Sequence, residues 1–185
     1  MIRAVSNTVK RHFSIALVLT FCSMPLQCAT LERLSLDDMI AKSTAIVRAK
    51  VGDSYTSFSG PIIYTHYKLQ SAEVLKGEAA AELVIPGGVA NGQRQFFAGA
   101  PELQKGDEYV FFLWRGPDGL TQVTGLTQGL FRLRDSSSNP ALTREASHEL
   151  MLDRSTARPV QDQTLSMHLR ELRSQVQAAA KRTAQ

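Results

Sequence analysis

Cysteine is nearly missing from this chain. Its 185 residues include two, Cys22 and Cys28, both near the start. A domain that begins after Ala29 therefore has no disulfide and no thiolate for catalysis or metal binding. Its stability has to come from packing, and a chain of this length can bury a core without covalent or metal staples. Sites for asparagine-linked glycosylation are absent too. Asn7 and Asn91 lack the required hydroxyl residue, and Asn139 precedes Pro140.

An excess of either charge is also lacking once the first residues are set aside. Arg3, Lys10 and Arg11 account for three of the 21 basic side chains, and none of the 17 acidic ones lies before Thr30. The remainder has 18 basic and 17 acidic side chains, a net charge of about +1. The sequence pI near 9.3 thus owes much to the first 29 residues and gives no argument for nucleic acid. Long apolar runs are limited to Phe13–Met24, which is shorter than the ~20 residues a spanning helix needs. A basic start, a short apolar run, Pro25 and small residues after it predict a signal peptide over 1–29. Cleavage after Ala29 fits best, although Gln27 is a poor −3 residue. Cleavage after Cys28 would put Leu26 there. An uncleaved anchor is the alternative to export, and with cleavage no membrane span remains.

Catalytic motifs are missing as well. His148-Glu149 opens like a zinc-protease helix, but the position four after His148 is Leu152. His66, His148 and His168 are too scattered to form a recognisable metal set. Pro86–Gly88 with Gly92 lacks the Lys-Ser/Thr of a phosphate loop and fits turn glycines better. There is no G-x-S-x-G elbow. Asp107 and Glu108 are adjacent, so on a strand they point to opposite faces. Neither a cofactor nor a metal is implied.

What is present is a succession of strand patterns. Ser35 with Asp37 and Asp38 predicts the N-terminus of a short helix with apolar Leu36, Met39 and Ile40. Ala45, Val47, Ala49 and Val51 then alternate with Arg48 and Lys50, the period of a half-buried strand. Turn residues Ser57–Pro61 lead to a return strand from Ile62. Ile63, Tyr67 and Leu69 share one parity, whereas Ala72 and Val74 hold the other. Either a β-bulge near Gln70-Ser71 or a two-sided buried segment explains the switch. Glu82–Ile85 and Gln93–Phe97 read as short strands, with Pro101–Lys105 as a loop. Tyr109–Trp114 is the most apolar run after the leader and predicts a strand buried on both faces. Pro117–Gly119 turns the chain into a hairpin with Leu120–Thr124, and Gly129–Leu133 is a further strand. Leu142–Ala146 is expected as an edge strand in a weakly patterned 135–163 segment. Leu165, Leu169, Leu172, Val176 and Ala179, spaced 4, 3, 4 and 3, predict an amphipathic helix over 164–182, capped by Thr164 or Ser166.

Several of these residues resemble the netrin-like domain, the superfamily of the tissue inhibitors of metalloproteinases. They are Ile46–Val51, Tyr67–Gly77 ending in Val-Leu-Lys-Gly, Glu108–Leu113 and the Gly116–Gly119 turn. The pattern is also similar to that of exported bacterial proteins. The resemblance covers about residues 35–134 and implies a small, closed or partly open OB-like β-barrel. The expected architecture is mostly β: a barrel over 30–134, a loop or edge hairpin over 135–163, and one helix at each end. Netrin-like domains carry disulfides, and the inhibitors place an N-terminal cysteine on the target's zinc. This chain has neither once cleaved after Ala29. Cleavage after Gln27 would expose Cys28 without a disulfide partner.

The functional expectation is an exported, periplasmic or extracellular, non-enzymatic module that binds a protein, for which a secreted protease is one candidate. Contact is expected around Thr30 and the Phe96-Phe97 loop. Inhibition of a secreted metalloprotease is the narrower alternative. A hydrolase with a site assembled from distant residues, dependent on His66 or His148, is the other. Tyr55, Phe58, Tyr64 and Tyr67 with Arg48, Lys50 and Lys68 could make a nucleic-acid face, but near-neutral charge and export argue against it.

Overall fold

A computed structural model describes residues 30–183, and the signal-peptide expectation, with Cys22 and Cys28, lies outside them. The described residues are mostly β, with one short helix near their start and one longer helix at their end. In order it forms β1 (Thr30–Glu32), α1 (Leu36–Lys42), β2 (Ala45–Ser59), β3 (Ile62–Lys76), β4 (Glu82–Pro86), β5 (Gly88–Ala90) and β6 (Gln93–Gln95). β7 (Glu108–Arg115), β8 (Thr121–Val123), a 3-10 turn (Leu126–Gly129), β9 (Leu130–Leu133) and β10 (Ala141–Arg144) follow. β11 (Leu150–Leu152), β12 (Pro159–Val160), β13 (Leu165–His168) and α2 (Leu169–Thr183) complete it. Among the described residues no helix is long and apolar enough to cross a membrane.

The main sheet has eight strands in the order β13-β10-β9-β7-β2-β3-β4-β8, and β8 also pairs with β7. Its largest piece is the β2–β3 hairpin, which turns through Gly60-Pro61 with Gly60 at φ 59. Left-handed backbone is what two-residue hairpin loops favour, and glycine adopts it freely. The hairpin is not regular. Val47 opposes Val74 and Ile46 opposes Lys76, so Leu75 is extra; Arg48 opposes Glu73 and Ala49 opposes Ser71, so Ala72 is extra. A third shift sets Gly52 and Asp53 against Lys68. The two bulges on β3 thus fall just beyond the expected Gln70-Ser71. The side chains that suggested a buried segment there are not covered: Ala72 is exposed and Val74 is 43% exposed. Extra residues bend and twist a strand, and here they turn the far half of the hairpin.

β7 and the start of β2 are buried on both faces, and this divides the core. Val47, Ala49 and Val51 pack with Tyr67, Leu69, Leu83, Ile85, Phe111, Leu113 and Val123. On the opposite side, Ile46, Val110 and Phe112 pack with Phe131, Leu142 and the two helices. Alternation alone sends Phe111 and Phe112 into different clusters.

α1 begins with a reciprocal capping box. The Asp38 N–H donates to Ser35 Oγ and the Ser35 N–H donates to Asp38 Oδ2, both at 3.1 Å. The Ser35 hydrogen bond holds the Asp38 carboxyl below its usual range, against a smaller upward pull from burial. Ser35→Ala should cost about 1 kcal/mol, read as a lower urea midpoint at pH 7. An unchanged midpoint would show that α1 is fixed by packing alone.

The C-terminal helix starts later than its apolar spacing suggests. Leu165–His168 is strand, paired with β10, so β10 is an inner strand rather than an edge. Neither Thr164 nor Ser166 caps the helix. Instead the Leu169 N–H donates to Pro140 O at 3.0 Å and the Arg170 N–H to Asn139 Oδ1 at 2.8 Å. The 135–140 loop thereby supplies acceptors for the open N–H groups of the first turn. Leu169, Leu172 and Val176 are buried, and Arg173 ties the helix to β3 through a two-pronged pair with Glu73 at 2.6 and 2.8 Å.

Two smaller sheets complete the fold. β1 runs parallel to β11, which pairs with β12. Buried Gln128 fastens β1, accepting from the Leu34 N–H at 2.8 Å and donating to Glu32 O at 2.9 Å. β5 and β6 form a separate hairpin. Gln95 clamps it to the start of β3 and the turn before it, accepting from the Ile63 N–H at 2.7 Å and donating to Pro61 O at 2.8 Å. The Gln93–Phe97 strand of the sequence reading is therefore a short appendage to the main sheet.

Candidate functional site

The β5–β6 hairpin and the loop that follows it enclose a cavity of about 330 Å³. Thr65, Tyr67 and Ile85 line it from the main sheet, Arg94 and Phe97 from the hairpin side, and Glu102 from the loop. Burial pushes the Tyr67 hydroxyl above its usual pKa, and it stays a neutral phenol at pH 7. Phe96 stands beside this cavity with 84% of its surface exposed, and Phe97 is half-buried.

A second cavity, about 350 Å³, lies on the other side of the same loop. Tyr109, Leu130, Arg132, Thr143, His148 and Glu149 line it, and Ala100–Leu103 contributes to both cavities. Arg132 lies 5.5 Å from the Tyr109 ring centre and pairs with Asp107, which also accepts from the Tyr109 hydroxyl at 3.2 Å. Neighbouring Glu108 instead pairs with Arg48 at 2.6 Å, so the adjacent carboxylates do take different partners.

The third feature is polar and lies on the outward parity of β2, β3 and β4. The His66 side chain is only 12% exposed, because both ring nitrogens are engaged and Tyr55 covers one face. Its Nε2 lies 2.8 Å from Ser57 Oγ and its Nδ1 2.8 Å from Glu82 Oε1. The Tyr55 and His66 rings stack at 4.5 Å and 13°. Glu82 also accepts from Lys68 at 2.5 Å and from the Tyr55 hydroxyl at 3.2 Å. Burial raises the Glu82 pKa, but the hydrogen bonds from Lys68 and His66 and the Lys68 charge together hold it below the usual carboxylate range.

These contacts dismantle the basic-aromatic face noted in the sequence. Tyr55 and Lys68 are engaged with His66 and Glu82, Arg48 with Glu108, and Tyr67 is in the core. His148 lies in the loop before β11 and His168 contacts Asn139 O at 3.2 Å, so the three histidines occupy separate places. Among the described residues, no group of three or more His, Cys, Asp or Glu is placed to hold a metal ion.

Of the expected contact residues, Phe96 and Phe97 come together at one cavity. Thr30 does not line it; it lies in β1, paired with Leu150. The Ser57–His66–Glu82 row was missed. The Gly60-Pro61 turn fixes Tyr55 opposite His66 and so places Ser57 diagonally across from it. Half of the row could thus have been found by counting back from the turn. Glu82 depends on the β3–β4 register, which no turn chemistry announces. No protein-family model matches the chain, and no curated protein matches it either.

Proposed function

We propose that this chain is an exported protein-binding module built on an OB-like β-barrel, with the Phe96 surface as its contact. What supports the barrel is the strand pairing. β2, β3, β4, β8 and β7 each pair with the next, and β7 pairs again with β2. The β4–β8 step is parallel and the others are antiparallel. The bulged hairpin supplies the bend that such a closure requires.

The observation that carries the binding reading is Phe96. An aromatic ring left in water beside a cavity forgoes about 1.5–3 kcal/mol of burial that a partner can supply. Buried aromatic anchors beside a pocket are the usual centres of binding energy at protein interfaces. The clamps from Gln95 hold the hairpin that presents it, so little ordering cost falls on the complex. Inhibition of a secreted metalloprotease would be one case of this activity.

Affinity capture with leader-free protein from the secretome of its own source is the test. We expect a partner whose affinity falls at least about tenfold with Phe96→Ala, while the unfolding midpoint stays unchanged. Equal capture by the variant, or no specific capture at all, would remove the reading. Titrating the captured protein for peptidase activity separates inhibition from binding alone.

A further inference from the structure

We propose that Ser57 is a nucleophile, with His66 as its general base and Glu82 as the group that orients the base, accepting an acyl or phosphonyl group from small activated esters. The site stands apart from the Phe96 cavity and goes beyond the binding reading.

The geometry carries the proposal. A hydroxyl is a weak nucleophile until a base takes its proton, and the base must be held in the tautomer that offers a lone pair to that hydroxyl. Both conditions are met in order. Ser57 Oγ lies 2.8 Å from His66 Nε2, and the other nitrogen, Nδ1, lies 2.8 Å from Glu82 Oε1. An ionised carboxylate only accepts, so it requires the proton on Nδ1. Nε2 is then left with its lone pair facing Ser57, and the Ser57 hydroxyl donates to it. The reverse tautomer would set a ring lone pair against a carboxylate that Lys68 keeps charged. These are the roles of nucleophile, base and orienting acid in serine acyl transfer.

The surroundings fix the ring further. Tyr55 stacks on the imidazole, and its hydroxyl reaches both oxygens of Glu82 at 3.2 Å. The ring plane and the carboxylate are therefore held by one side chain. β7 pairs with β2 only over Ala45–Lys50, so in the main sheet the β2 segment bearing Ser57 has a strand partner on the β3 side alone. Ser57 lines neither cavity described above, so substrate is not enclosed. The class that fits is a small ester with a good leaving group, and the expected behaviour is a stable adduct with slow release.

In the acyl case a bond forms between Ser57 Oγ and the carbonyl carbon, and the carbon–oxygen bond to the leaving alcohol breaks. The Ser57 proton passes to His66 Nε2 and on to the departing alkoxide. With an alkyl fluorophosphonate the oxygen–phosphorus bond forms, fluoride leaves, and the proton remains on the imidazole until lost to buffer.

The experiment treats the full chain with an alkyl fluorophosphonate and locates the adduct by peptide mass spectrometry. A single phosphonyl group on Ser57 is expected, with Ser59, two residues along the same strand, unlabelled as the internal reference. The rate should fall about 100-fold in His66→Gln and about tenfold in Glu82→Gln. It should rise with pH through one ionisation in the parent protein and lose that step in His66→Gln. An absent adduct, equal labelling of Ser57 and Ser59, or a rate indifferent to His66→Gln would overturn the proposal. The Ser57-to-Ser59 comparison is made within the parent protein and does not depend on any variant folding.

Discussion

Asp162→Ala is expected to remove about 3–5 kcal/mol of folding stability. The Asp162 side chain is 0% exposed and its partner, Arg144, 2% exposed. Arg144 sends one nitrogen to each carboxylate oxygen, at 2.8 and 2.9 Å, and a further bond to Gln163 O at 2.6 Å. Asp162 also accepts from the Ser147 N–H at 2.8 Å. Without the carboxylate, a guanidinium stays buried with one backbone oxygen for company, and its Nε has no partner even in the intact protein. The cost is that of stranding a charge, so it exceeds what the pair contributes against an apolar substitute. Arg144→Met combined with Asp162→Leu should therefore lose less than Asp162→Ala alone. Urea denaturation of the three proteins decides this, and an Asp162→Ala loss under about 1 kcal/mol would refute the argument.

The same pair sets a pH dependence. Burial pushes the Asp162 carboxyl up, but the Arg144 hydrogen bonds, the Ser147 and Gln163 N–H groups and the Arg144 charge outweigh it and hold the pKa below the usual value. A carboxyl whose folded pKa lies below its unfolded value, about 3.9, contributes stability that is complete above that value. It is lost as pH falls through the folded pKa. The difference between the parent protein and Asp162→Asn should accordingly narrow on moving from pH 7 to pH 3.

Gly77→Ala should cost about 2–5 kcal/mol, combining left-handed backbone in a non-glycine residue with an overlap that has nowhere to go. Gly77 sits at φ 68, and a Cβ there would meet Thr44 O at 2.1 Å and Ala45 Cα at 3.2 Å. Both are backbone, and Thr44 is fixed by its N–H bond to Leu113 O at 2.8 Å. Gly60→Ala is the control. Gly60 has the same sign of φ and no atom within 4 Å of its would-be Cβ. Its loss should stay within about 1–2 kcal/mol, the backbone cost alone. Equal midpoint shifts for the two variants would show that the close approach at Gly77 contributes nothing. Lys76 adds to the same junction, donating from Nζ to Ile40 O at 2.5 Å at the end of α1. The Lys-Gly pair that ends the hairpin is thus where α1, β2 and β3 meet.

Much of the strand framework was legible because it rests on local chemistry. Ser35 and Asp38 announce α1, Gly60-Pro61 announces the hairpin, and the unbroken Tyr109–Trp114 run announces a strand with two covered faces. The errors arise where one pattern serves two periods. Leu165 and Leu169 are spaced for a helix, yet Leu165 and Met167 also alternate as a strand, and β10 claims them. What decides the boundary is the pair of acceptors at Asn139 and Pro140, far away in sequence. Phe96 and Phe97 stand out in the sequence as adjacent aromatics in a loop, but the exposure of one and the half-burial of the other beside a cavity do not follow from it. In the Ser57–His66–Glu82 row, the first two follow from the Gly60-Pro61 turn, whereas Glu82 is an ordinary strand residue until the β3–β4 register aligns it.

The strip Ala100–Leu103 is the common wall of both cavities. A molecule that enters one and displaces this wall redraws the other. The two occupancies then share a single coupling free energy, equal in both directions. Under the proposed binding at Phe96, a ligand resting against Tyr109 and Arg132 would alter that affinity only by moving this shared wall.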